Sequence, residues 1–92
     1  METTLKELTS IHGPSGFEEE VTRYIANRLK GKVDSMEVDG VGNLIVRKKG
    51  HQEGPKIVVA AHMDEVGFIV KKIEDNGLLR FEKLGGNDDR IL

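Results

Sequence analysis

The chain has 92 residues, a net charge of −2, 37% hydrophobic and 33% charged residues, and no cysteine. That length allows one small domain burying about two-thirds of its unfolded surface, and the charge content implies a well-solvated exterior with no membrane partner. Interspersed charges leave no basic footprint for nucleic acid, and the lack of cysteine rules out a disulfide framework or thiolate metal site and agrees with a cytoplasmic setting.

Met1-Glu2-Thr3-Thr4 has neither a basic region nor an apolar core, so no signal peptide is expected. Thr4-x-x-Glu7 has the form of a capping box, with Leu5, Leu8 and Ile11 following at helical spacing. His12-Gly13-Pro14 stops this first helix, with glycine free to take a left-handed cap. Ser15-x-x-Glu18 opens a second helix by the same logic. Phe17, Val21, Tyr24, Ile25 and Leu29 form its apolar face, and Gly31 ends it. Both helices are expected to pack on one face of a sheet.

Beyond Gly31 the period changes. Residues 32–38 and 41–48 read as short strands around a turn at Asp39-Gly40, and residues 48–55 as a polar surface loop. Ile57 to Ala61 has no polar face, so it reads as a strand buried on both sides of a helix-covered sheet. Residues 67–74 and 78–84 then flank Asp75-Asn76-Gly77, whose Asn-Gly pair signals a tight hairpin. The whole reads as α/β, with helices packed on a mixed sheet and a hairpin after it.

The chemistry concentrates at His62-Met63-Asp64. A His at the carboxyl end of a buried strand stands where open α/β sheets place their sites. An Asp two residues on shares its side-chain parity and can accept from one ring nitrogen while the other binds a metal. Glu65 has the opposite parity and reads as a solvent or loop residue. His12 reads as a helix-end residue and His51 as solvated within a Lys- and Gly-rich loop. Gly13-Pro14-Ser15-Gly16 reads as a tight turn and helix cap, not an anion-binding nest. No Ser-His-Asp set, P-loop or dinucleotide fingerprint is present.

Taken in order, Gly13-Pro14-Ser15-Gly16-Phe17-Glu18, Gly42-Asn43-Leu44 and His62-Met63-Asp64-Glu65-Val66-Gly67-Phe68 resemble the start of the glutamyl and tetrahedral aminopeptidases, dinuclear metallopeptidases sometimes labelled endoglucanases. The resemblance covers nearly the whole chain. It implies that His62 binds one of two divalent ions, zinc or cobalt, and that Asp64 orients it, with the bridging Asp, the general-base Glu and the other ligands downstream. It implies peptide substrates and homo-oligomers, dodecamers in full-length relatives. It further implies that residues 1–70 begin the catalytic domain and residues 71–92 begin an inserted β-barrel-like assembly domain. Asn87 stands where relatives usually carry Trp, a packing variation in that second domain.

A strand needing helices on both faces and an end at Asp89-Arg90-Ile91-Leu92 without a stop signal suggest the N-terminal portion of a longer enzyme, inactive by itself. Two other readings fit the same residues: a related di-zinc carboxypeptidase or deacylase, and a truncated, non-catalytic interaction module.

Overall fold

Two helices come first, then two separate β-hairpins. The computed structural model describes residues 1–86, so the expectations attached to Asn87 and to residues 89–92 lie outside the described residues. Helix α1 spans Glu2–Ser10 and α2 spans Glu19–Leu29. Neither has a side-chain cap, which corrects both capping boxes. The Met1 carbonyl already accepts from the Leu5 N–H at 3.0 Å, so α1 starts before Thr4 and Thr4 lies inside it. There the Thr4 hydroxyl accepts from Arg28 Nη2 at 3.1 Å. Glu18, not Ser15, is the N-cap of α2, and Glu18 Oε1 accepts from the Gly16 N–H at 2.7 Å. The helices are joined by Arg28–Glu7 at 3.6 Å and by the Tyr24 hydroxyl donating to Glu7. That hydrogen bond holds the Tyr24 phenol above its ordinary pKa of 10.0.

Strands β1 (Ser35–Val38) and β2 (Leu44–Arg47) pair antiparallel, with Met36 opposite Val46. Strands β3 (Gly67–Ile73) and β4 (Leu79–Leu84) form the second antiparallel pair, with a bulge between Val70 and Lys72. Across that pair Phe68 and Phe81 meet edge to face, centroids 4.8 Å apart.

The two turns share one design and differ from the two-residue turns expected. The Asp39 N–H donates to Asn43 O at 3.0 Å and the Gly42 N–H to Asp39 O at 3.2 Å; the Glu74 N–H donates to Leu78 O at 2.7 Å and the Gly77 N–H to Glu74 O at 3.0 Å. Each is a three-residue loop whose last residue takes positive φ, 94° at Gly42 and 88° at Gly77. Neither Gly40 nor Asn76 does. Side chains reinforce both loops. Asp39 accepts from the Asn43 amide at 2.8 Å and from the backbone N–H groups of Asn43 and Val41, bonds that lower its pKa. Asn76 Oδ1 accepts from the Leu78 N–H at 3.1 Å.

Residues 57–61 correct the buried-strand and mixed-sheet expectations. They form no strand, and Ile57, Val58 and Val59 are 85%, 86% and 92% exposed. A strand buried on both faces needs a neighbour on each edge and cover above and below. Among the described residues none pairs with this run, and the two sheets are antiparallel pairs. Nor do the helices pack broadly on either sheet, as extensive contact is confined to strand partners. The molecule is accordingly long, 64 × 29 × 24 Å, with a radius of gyration of 17.8 Å. About 12 Å would be usual for a compact chain of this length. Among the described residues the buried apolar core is Val21, 5% exposed. Within those residues no helix is long and apolar enough to cross a membrane.

Candidate metal centre

The best-anchored part of the chain outside the helices and hairpins is the meeting of residues 13–15 with residues 62–65. Pro14 follows α1 and starts a turn in which the Phe17 N–H donates to Pro14 O at 2.8 Å. Gly16 takes φ 89° in this turn, a conformation open to glycine at the third position of a type II turn. Gly13 does not cap α1 in the left-handed form expected of it. It is glycine because α2 passes too close: a Cβ there would lie 2.5 Å from Val21 Cγ2. This close approach lets the loop meet residue 65. Glu65 N–H donates to Gly13 O at 2.9 Å and Ser15 N–H to Glu65 O at 3.2 Å. Gly13 N–H donates to Glu65 Oε1 at 3.0 Å.

This parallel bridge between Pro14 and Glu65 sits one residue past the His-x-Asp pair. His62 Nδ1 lies 3.0 Å from Asp64 Oδ1 and 3.2 Å from the Asp64 carbonyl oxygen. A carbonyl and an ionised carboxylate only accept, so in the neutral imidazole the proton sits on Nδ1 and Nε2 keeps its lone pair. The shared direction expected of the two side chains is therefore present, although no strand imposes it. His62 is 86% exposed and Asp64 36%, so Nε2 is open to solvent and to an ion.

The pair borders two clefts. One, of about 260 Å³, lies against the helices and is lined by Leu8, Ile11, Val21 and Met63. The other, of about 240 Å³, lies against the β1–β2 turn and is lined by Glu18, Asn43 and Leu44. Thr22 Oγ1 donates to the Met63 sulfur at 3.6 Å, a weak tie between α2 and the same segment. His12 and His51 are exposed and line neither cleft. Among the described residues no cluster of three or more His, Asp or Glu side chains could enclose an ion. His62 and Asp64 thus offer one imidazole nitrogen with a carboxylate beside the ring, a donor set that fits part of a metal site.

Two contributors were not expected from the sequence. Glu65 reads by its parity as a solvent or loop residue and is exposed in a loop, but its backbone and carboxylate also tie the site segment to the Gly13 loop. Its opposite parity was the available signal: a side chain turned away from His62 turns towards whatever lies behind. Glu18, read as a capping residue and part of the upstream motif, lines a cleft at His62, a placement that spacing alone does not reveal.

A profile of the M42 glutamyl aminopeptidases matches residues 42–92. The chain is 45% identical over 83 residues to the glutamyl aminopeptidase of Lactococcus lactis subsp. cremoris, covering 89% of this chain and 23% of that protein. It superposes on the TET aminopeptidase of the marine sediment archaeon Thaumarchaeota archaeon SCGC AB-539-E09 with a TM-score of 0.88 and 38% identity, over 99% of this chain and 25% of that one. An endoglucanase from Thermotoga maritima gives a TM-score of 0.84 and 48% identity, over 96% of this chain and 28% of that one. The chain spans about a quarter of the length of the proteins it matches.

Proposed function

This chain belongs to the M42 glutamyl aminopeptidase family, and from that premise we propose that the protein removes N-terminal residues from peptides by metal-dependent hydrolysis. The observation that carries the site assignment is the His62–Asp64 contact of 3.0 Å, which favours the neutral tautomer with the proton on Nδ1 and Nε2 free. In this reading His62 ligates one of two divalent ions, zinc or cobalt, either of which suits imidazole and carboxylate ligands. Asp64 orients the ring and raises its basicity. A metal held there would supply Lewis-acid polarisation of the scissile carbonyl and a bound water of lowered pKa. The chain's own part is to hold the imidazole in one tautomer at the mouth of two clefts; the other ligands and the general base come from the remaining three-quarters of the family's length.

Residues 1–70 would begin the catalytic domain and residues 71–92 an inserted β-barrel-like domain used for homo-oligomer assembly. The β3 bulge between Val70 and Lys72 falls at that boundary. A cytoplasmic setting agrees with the cysteine-free composition.

The test is metal content and turnover of the metal-loaded protein with and without His62→Ala. Loss of one bound ion and of most hydrolysis of chromogenic amino-acid substrates is expected. Two ions retained in the variant would overturn the ligand assignment. Hydrolysis of a β-glucan with no action on peptides would overturn the activity.

A further inference from the structure

Gly13 is buried, and a buried N–H left without an acceptor is destabilising. Its acceptor is the Glu65 carboxylate, 52 residues away in sequence and adjacent to Asp64. With the two backbone bonds at 2.9 and 3.2 Å, Glu65 makes three hydrogen bonds to residues 13–15. Upstream, residues 53–61 form no helix or strand, and Thr22–Met63 at 3.6 Å is a weak tie. The His62–Asp64 pair is therefore held from its C-terminal side.

We propose that Glu65 is a positioning residue for the metal-binding pair, its side-chain oxygen locking residues 62–65 onto the Gly13–Ser15 loop so that His62 keeps one pose. This rests on reading His62 as a ligand. What the site needs from residue 65 is an acceptor at the reach of a four-heavy-atom side-chain stem and head, and the carboxylate's charge is incidental. Removing the acceptor leaves the Gly13 N–H unpaired, the loop draws back to hydrate it, and the ring loses its fixed approach.

The experiment titrates the metal-depleted protein with Zn²⁺ alone against a chromophoric chelator, alongside kcat and KM of the reloaded enzyme and thermal melting. Glu65→Ala should lower affinity for the His62-bound ion about 10–100-fold, the range of losses when a ligand's supporting contacts are removed. It should lower kcat more than KM. Glu65→Gln, which keeps an oxygen at the same reach, should stay close to the parent. Glu65→Asp, which keeps the charge but draws the oxygen back, should fall well below it. The reverse order, Asp retained and Gln impaired, would show that charge matters and overturn the proposal. So would a lowered melting point in Glu65→Ala with unchanged Zn²⁺ affinity. His62→Ala serves as the reference: if it leaves Zn²⁺ uptake intact, the ligand reading fails and the role of Glu65 falls with it, whereas loss of uptake there with wild-type Glu65→Ala sinks the positioning role alone.

Discussion

Residues 57–61 and residues 62–65 are consecutive in the chain but are held in opposite ways. The first is a nearly uninterrupted apolar run with its side chains in solvent; Val59 is 92% exposed. The second is largely polar and is fastened by hydrogen bonds of 2.9 to 3.2 Å to residues 13–15 and by a contact of its own between His62 and Asp64. Apolar burial needs a partner surface, and it is non-directional, so it fixes nothing until that surface arrives. Directional hydrogen bonds hold with only two short segments present. The site segment therefore keeps its geometry beside a run that is still without cover.

Perturbing the polar side should produce the largest effects. Asp64→Asn is expected to weaken metal binding about 10–100-fold, because the amide fills the space without the carboxylate's pull on Nδ1–H. Unchanged affinity in a chelator titration would mean that Asp64 does no orienting. Next, Gly13→Ala puts a Cβ 2.5 Å from Val21 Cγ2 and should cost about 1–3 kcal/mol in a denaturant melt, as overpacking does. A neutral result would show that the Gly13 loop does not sit against α2.

Gly77→Val, in the β3–β4 turn, should cost about 1 kcal/mol or more, since a β-branched residue resists the φ of 88° found there. On the apolar side, Val58→Ser should change stability by no more than about 0.5 kcal/mol, the usual range for a surface position. A loss several times larger would reveal a cover over residues 57–61 and break the contrast. The smallest effect concerns acid. Asp39 has a folded pKa below its ordinary 3.8, so its support for the β1–β2 turn is complete above that value and fades as pH falls through the lower, folded value. Amide shifts of Val41 and Asn43 should follow this titration, and insensitivity to acid would dismiss the Asp39 bonds.

What was legible from the residues follows the same division. The two helices, both hairpins and the facing of His62 and Asp64 depend on contacts within a few positions, and periodicity or turn chemistry reveals those. The turns were placed in the right stretches but one design off, because Asp-Gly and Asn-Gly pairs favour two-residue loops while Gly42 and Gly77 each offered a third residue that takes positive φ without strain. The helix starts were misplaced because Met1 and Glu18 provide backbone starts that compete with a Thr or Ser cap. Residues 57–61 went furthest astray: their composition states a preference for burial, and burial depends on surfaces that the run does not carry. Glu65 was missed for a related reason, its partner Gly13 being distant in sequence and glycine offering no side chain to suggest a pairing.

The distance between Gly13 and Glu65 along the chain also sets an order of events. Each hairpin closes a loop of a few residues, whereas this contact closes one of 52, at an entropic cost about 2 kcal/mol greater. Hairpins form in roughly 1–10 μs without help from the rest of the chain. The bonds from residue 65 to the Gly13 loop have to wait until the helices and the long stretch between have been gathered in. Loop closure thus sets the docking of residues 62–65 onto the Gly13 loop after the hairpins in the order of folding, while the contact between His62 and Asp64, two residues apart, can form locally.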